Sequence, residues 1–336
     1  KTLFPYTTLF RSVGGVAFFL SAVLDNLTTA IVMVSLLRKL VGKGEERLLL
    51  AGLVVICANA GGAWSPIGDV TTTMLWIGGQ VTAGAIVSRL FLPSLANALV
   101  AIVIIAWQLR NRAFPLPETG DAAADTNPAE LVVRRTIFAL GLGVLLAVPL
   151  FKAVTHLPPF MGILFGLGLL WAVGDILHRR MPAGDPPRVT IAEALTRIDM
   201  TAIVFFIGIL LSVAVLEHAH VLAALAQWLD ARIGRIGVIV FIIGLVSAVI
   251  DNVPMVAASM GMYGLDAYPR DSFLWEFLAY CAGTGGSLLI IGSAAGVAAM
   301  GIERIGFLWY LRRFSVIALA SYGVGAMIYV KIGPYL

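Results

Sequence analysis

Charge, histidine and cysteine are all scarce in this chain of 336 residues. Only 12% of its residues are charged, against a hydrophobic fraction of 60% and a mean hydropathy of +0.95. A soluble domain of this length needs far more charge to cover its surface, so that class is excluded. The two cysteines, Cys57 and Cys281, lie inside apolar runs, which excludes a disulfide scaffold and marks them as small packing residues. Four histidines with no cysteine at zinc spacing exclude a zinc centre. No series of alternating strands of about ten residues appears, which excludes a transmembrane barrel. The net charge of +4 sits in basic loops rather than on a nucleic-acid-binding face.

Long apolar runs are what the chain has in abundance. LLLAGLVVICANAGGAW, TAIVFFIGILLSVAVL and FSVIALASYGVGAMIYV each reach most of the way across the roughly 30 Å of a bilayer's hydrocarbon as helices. The class is therefore an all-α polytopic membrane protein, with the lipid bilayer as its first partner. Residues 1–12 stand apart. TLFPYTTLFRS is what a common sequencing adaptor gives when translated in one frame, so this segment is read as non-native and set aside from the fold. Without Lys1 and Arg11 the net charge falls to about +2, and the native N-terminus is expected to lie elsewhere.

Basic residues orient the path. Arg38, Lys39, Lys43 and Arg47 mark one side, taken as cytoplasmic, and three further basic groups fall on it: Arg110, Arg112, Arg134 and Arg135; Arg179, Arg180, Arg188 and Arg197; Arg304, Arg312 and Arg313. The loops 78–89 and 264–272 fall outside. The stretch 217–235 is half polar and is placed near the outer surface. The expected organisation is a first repeat over 13–109, a cytoplasmic linker over 110–135 containing PLPETGDAAADTNPAE, scaffold helices and a loop over 136–198, and a second repeat over 199–336.

The repeat is visible in the letters. SAVLDN, ending at Asn26, returns as SAVIDN, ending at Asn252. NAGGAWSPIGD aligns with GTGGSLLIIGS, which pairs Gly61 and Gly62 with Gly285 and Gly286, Gly68 with Gly292, Asp69 with Ser293 and Cys57 with Cys281. Two motifs in the same order indicate an internal duplication. Because the loop after the first Asp-Asn motif is inside and the loop after the second is outside, the repeat is expected to be inverted, the architecture of secondary transporters.

Each Asp-Asn motif interrupts an apolar stretch whose arms are too short to cross. Both motifs are therefore expected as tips of re-entrant helical hairpins, the second over 236–264 with Pro254 at its tip. The glycine motifs are expected to break two spanning helices, at Gly61, Gly62 and Gly68 and at Gly285, Gly286 and Gly292, the second of them over 272–301. A last helix covers 314–331. Half-helix ends and hairpin tips together form a site.

The oxygen donors on offer are Asp25, Asn26, Thr28, Thr29, Asn59, Ser65, Asp69, Thr71, Thr72 and Thr73 from the first repeat, and Asp251, Asn252, Thr284, Ser287 and Ser293 from the second. All but Ser65, Thr71, Thr72, Thr73 and Thr284 are taken as the expected ligands. Oxygen suits a hard cation, and a buried carboxylate is costly unless a cation or a proton neutralises it. Na⁺ is expected near Asp25, Asn26, Asp251 and Asn252. The plainer readings are glycine pairs for close packing, Asp25 and Asp251 as helix caps, and Glu217 as an interfacial acid. Trp64, Trp76 and Trp309 read as packing or belt residues, and Asp69 is weakened as a ligand by Ser293 at its counterpart.

The strings LDNLTTAIVMVSLL, ANAGGAWSPIGDVTTTMLW, FFIGILLSVAVLE, IDNVPMVAA and GTGGSLLIIGSAAGVAAMG closely resemble the NhaD-type sodium/proton antiporters of the Ion Transporter superfamily, which also holds divalent-anion symporters and arsenite pumps. The resemblance runs from about residue 13 to the C-terminus. It implies a scaffold domain that often dimerises and a transport domain that moves like an elevator. It implies no cofactor, and a multi-pass place in a bacterial inner membrane. By motif position it carries hairpin-tip roles to Asn26, Thr28, Asn252 and Pro254. It also implies N-terminal helices, including a counterpart of 201–246, that this sequence lacks.

The activity so implied is electrogenic exchange of Na⁺ or Li⁺ for H⁺. A sodium-coupled carboxylate symporter wants Ser/Thr-rich tips poor in acids, and Asp25, Asp69 and Asp251 argue against it. An arsenite extruder stays open. An intramembrane aspartyl protease also needs two buried acids, but its Gly-x-Gly-Asp signature would need glycine where Pro66 stands.

Overall fold

A computed structural model describes residues 6–110, 128–155, 157, 159–179 and 200–332. Among these residues all regular structure is helical. The elements are α1 (Tyr6–Leu24), α2 (Asn26–Leu40), α3 (Glu45–Ala63), α4 (Val70–Ile77), α5 (Ala83–Leu109), α6 (Pro128–Thr155), α7 (Pro159–Arg179) and α8 (Met200–His218). They continue with α9 (Val221–Ile233), α10 (Ile236–Ile250), α11 (Asn252–Met262), α12 (Phe273–Gly285), α13 (Ala294–Glu303), α14 (Phe307–Arg313) and α15 (Ser315–Ile332). α1 starts inside the segment read as adaptor-derived. Residues 1–5, most of the linker and most of the 178–197 loop lie outside the described residues.

Among the described residues four stretches are long and apolar enough to cross a membrane unaided: Glu45–Ala63, Ala83–Leu109, Phe160–Leu177 and Ser315–Ile332. Ile207–His218 and Val221–Ile233, bent by 72° at their junction, are a broken span or a re-entrant loop. The chain divides into two compact units, Thr119–Ile209 and the remainder. In the smaller unit α6 packs on α7, where Gly162 and Gly166 receive Phe151 and Val144.

The larger unit is built around α3 and α12. Every residue of α3 from Leu49 to Ala63 is buried, and so is every residue of α12 from Leu274 to Gly285. A helix apolar and buried all round belongs at the centre of a bundle. α1 and α2 pack on α3, and α10 and α11 on α12. The second arms cross over: α2 packs on α13 and α11 packs on α4.

Matching residues make matching contacts. Ser21 Oγ donates to the Ala58 carbonyl at 2.6 Å, and its counterpart Ser247 Oγ reaches the Ala282 carbonyl at 3.5 Å. A Cβ on Gly61 would collide with the Phe18 carbonyl oxygen, and one on Gly285 with the Gly244 carbonyl oxygen. These glycines let an arm backbone lie directly on the central helix. They do so from inside the helices: Gly61, Gly62 and Gly285 are helical, so each interruption starts later than glycine position suggests, near Trp64 and at Gly286. Gly62 then meets the Gly68 carbonyl and Gly286 the Gly292 carbonyl, folding each broken segment onto itself.

Two polar seams tie the ends of this unit. Arg47 bonds Glu303 through Nε and Nη2, both at 2.9 Å, and Arg313 bonds Glu45 at 2.6 Å, so segments 38–47 and 303–313 lie together. Elsewhere Asp271 N donates to the Gln80 carbonyl at 2.9 Å, Thr82 N to Asp271 Oδ1 at 2.6 Å, and Arg89 to Glu276, so 78–89 and 270–276 lie together.

Gly285→Ala should cost about 1–3 kcal/mol, because its methyl meets backbone that cannot yield. Gly84→Ala, with nothing within 4 Å of the new methyl, should be neutral or slightly stabilising. Thermal melts of the two variants in detergent check this. Equal melting temperatures would remove the close-approach argument.

Candidate functional site

Four helices start where the interruptions meet. α2 starts at Asn26 and α11 at Asn252, each directly after an aspartate with positive φ: Asp25 at φ 72°, ψ 164° and Asp251 at φ 85°, ψ 144°. Side chains other than glycine's clash there, at about 1–3 kcal/mol for each such residue. Each aspartate caps the helix it starts. Asp25 Oδ1 accepts from Thr28 N at 2.7 Å and Oδ2 from the Thr28 hydroxyl at 2.9 Å, while Asp251 Oδ1 accepts from Asn252 N at 2.6 Å. α4 and α13 start after Asp69 and Ser293, which share an extended backbone, φ −148° and −149°. Asp69 Oδ1 accepts from Thr71 N at 2.9 Å and Ser293 Oγ from Gly296 N at 3.2 Å.

Six of the expected residues form one buried network. Asn26 Nδ2 donates to Asp69 Oδ2 at 2.8 Å and to Asn59 Oδ1 at 3.0 Å. Asn252 Nδ2 reaches the same Asp69 oxygen at 3.4 Å. Asn59 Nδ2 donates to Ser287 Oγ and Ser293 Oγ, both at 2.8 Å. Asp69 is only 2% exposed. Among the described residues it is the one carboxylate inside this network.

The other expected residues are placed differently. Asp25 and Asp251 are half-buried, Thr28 is exposed on its cap, and Thr29 is buried with no partner for its hydroxyl. Glu217 and Pro254 are not in the network. Ser65, also among the oxygen donors on offer, donates instead to the Ala22 carbonyl at 2.5 Å and ties the segment after α3 to α1. A second buried acid, Glu276, escaped sequence reasoning: it accepts from Arg89 and from the Tyr329 hydroxyl at 2.8 Å. Its signal was a lone acid in the apolar run 273–285.

The arrangement has a definite chemistry. Helix N-termini carry partial positive charge and favour an anion. Here the protein supplies that anion itself, as the Asp69 carboxylate. Amide and hydroxyl oxygens stand around it, and among the described residues no group of three or more His, Cys, Asp or Glu could hold a resident metal. One carboxylate with neutral oxygens suits a monovalent hard cation or a proton.

Comparison with known proteins gives the chain its relatives. A family model described as citrate transporter, CitMHS, matches residues 5–283. Sodium/proton antiporter 1 of Arabidopsis thaliana is 50% identical over 326 residues, covering 97% of this chain and 56% of that protein. Sodium/proton antiporter 2 of the same plant is 48% identical over 324 residues, covering 95% and 76%. The Na⁺/H⁺ antiporter NhaD of Vibrio cholerae is 34% identical over 341 residues, covering 94% and 69%. The chain thus spans just over half the length of the first plant relative.

If Asp69 is the charged ligand, adding NaCl in place of choline chloride should raise the melting temperature of the full chain. Asp69→Asn should abolish the rise, and Asp121→Asn, in the linker outside the described residues, should leave it intact. A wild-type sodium shift in Asp69→Asn would exclude this carboxylate.

Proposed function

The chain belongs to the CitMHS family and to the NhaD-type sodium/proton antiporters, and from that premise we propose that it exchanges Na⁺ or Li⁺ for H⁺ across its membrane by alternating access. It is an integral, multi-pass transporter protein rather than an enzyme. The observation that carries the exchange reading is Asp69. This buried carboxylate is held by Asn26 and Asn252, one from each Asp-Asn motif. A site of this kind holds a cation or a proton, and each expels the other.

The inverted repeat belongs to the same reading. Segments 38–47 and 303–313 lie together, as do 78–89 and 270–276. The end of α2 is thus beside the end of α13, and the loop after α4 beside the loop after α11, as two repeats of opposite orientation require. α10 and α11, at 15 and 11 residues, are about 22 and 16 Å long, which supports re-entry rather than crossing. An elevator-like movement would carry a transport domain that holds both hairpins and both broken helices. A homodimer through the scaffold helices of 136–198 completes the proposal.

The family description favours citrate as a second substrate class. A citrate carrier needs the positive helix ends for the substrate's own carboxylates, and here Asp69 already occupies them. Asp25 and Asp251, directly before Asn26 and Asn252, add two further carboxyl groups at the network's edge. Cation exchange is therefore the better supported function. The host membrane follows the relatives, which come from a plant as well as from bacteria, so a bacterial inner membrane is one of two settings the kinship supports.

In inverted vesicles, added Na⁺ or Li⁺ should collapse a preformed pH gradient, and Asp69→Asn should not. Asp25→Asn and Asp251→Asn should weaken apparent Na⁺ affinity about tenfold, near 1.4 kcal/mol. Failure of the wild-type vesicles to respond to either ion removes the exchange reading.

The sign of the pH effect follows from competition. Below the site's pKa most carboxylates hold a proton that Na⁺ must displace, so the apparent Na⁺ affinity rises with pH and levels off above it. Exchange measured between about pH 6.5 and 9, above the ordinary carboxylate range, checks this. A flat profile would mean that protons and Na⁺ do not share a site.

A further inference from the structure

The two halves of the network are built unequally. Aligning Cys57 with Cys281 and Gly61 with Gly285 sets Asn59 opposite Gly283 and Asp69 opposite Ser293. In the first half a carboxylate oxygen is offered to the two asparagine amides. In the second half two hydroxyl oxygens, Ser287 and Ser293, both accept from one nitrogen, Asn59 Nδ2, each at 2.8 Å. Asn59 comes from α3 and reaches across into the other repeat. Gly283, its counterpart on α12, has no side chain with which to reach back.

Asn59 is fully buried and its orientation is set. Its Oδ1 accepts from Asn26 Nδ2 at 3.0 Å, which turns the amide N–H groups toward the two serines. Ser287 and Ser293 are buried as well, so their oxygens have no solvent to turn to. A positively polarised nitrogen held between two buried oxygens occupies the place a second cation would take. With neutral hydroxyls only, that place also lacks the carboxylate that would offset a second buried charge.

Resting on the exchange reading above, we propose that Asn59 fills the second half of the site with its own amide, so that each chain binds a single Na⁺ or Li⁺, at Asp69. The substitution that distinguishes the repeats, Asn59 against Gly283, then determines how many ions are carried. Asn59→Asp keeps the size of the side chain and replaces the donor by a carboxylate facing Ser287 and Ser293. That variant should bind a second Na⁺.

The test is equilibrium binding of radioactive Na⁺ to the full chain in detergent, with the sodium dependence of its melting temperature as a second readout. Wild type should bind one Na⁺ per chain with a Hill coefficient of one, and Asn59→Asp two. Asn59→Ala, which leaves both hydroxyls without their donor, keeps the question decidable if Asn59→Asp does not fold. It should bind more than one Na⁺ per chain at saturating Na⁺, more weakly than Asn59→Asp for want of the carboxylate, and a folded Asn59→Ala that binds only one would overturn the inference. Two ions bound to wild type, or a single ion bound to a folded Asn59→Asp, would overturn the inference while leaving exchange at Asp69 standing. No Na⁺ binding to wild type would overturn both.

Discussion

The larger unit depends on the placing of one carboxylate. Asp69 sits in a low-dielectric interior where a bare charge is prohibitively costly, so its surroundings must answer it with donors, a cation or a proton. The chain answers with amides brought from three separate segments, Asn26 and Asn252 directly and Asn59 through Asn26. Delivering these side chains to one point requires helix ends there, and α2, α4, α11 and α13 all start beside the network. The strained backbone of Asp25 and Asp251 and the close approach at Gly61 and Gly285 follow from that demand.

Each interruption is tied down by backbone contacts in place of an ordinary helical ladder. In the first, Ser65 N donates to the Gly62 carbonyl and Gly68 N to the Ser65 carbonyl; in the second, Ser287 N donates to the Thr284 carbonyl and Gly292 N to the Leu289 carbonyl. Irregular backbone inside a membrane protein is stable only when it is satisfied in this way. The aspartate caps contribute to the same satisfaction. Capping and charge are both available to Asp25 and Asp251, whereas Asp69 is a cap whose second oxygen is left to the asparagines.

Much of this was legible in the letters. Scarce charge and long apolar runs implied a polytopic helical protein, and the repeated Asp-Asn and glycine motifs pointed to the segments that the network joins. The placement of the acids, Asp69 inside the network and Asp25 and Asp251 at its edge, was not legible. Repetition draws attention to Asp25 and Asp251, because they recur, and away from Asp69, whose counterpart is Ser293. The network is asymmetric at its one carboxylate, and recurrence is blind to asymmetry. The reach of Asn59 to Ser287 and Ser293 joins residues of different repeats, a pairing that sequence order does not reveal. Glu276 with Arg89 and Tyr329 escaped for the same reason, as did the exact starts of the breaks, since glycines placed for close packing look like glycines placed to end a helix.

The proposed exchange of a proton for Na⁺ on the Asp69 carboxylate is open to direct observation by infrared difference spectroscopy of the full chain. On adding Na⁺, the carbonyl stretch of a protonated carboxyl group should disappear and carboxylate bands should take its place, and Asp69→Asn should lack this difference. A protonated-carboxyl band unaffected by Na⁺, or one that responds equally in Asp69→Asn, would contradict a shared cation and proton site at Asp69.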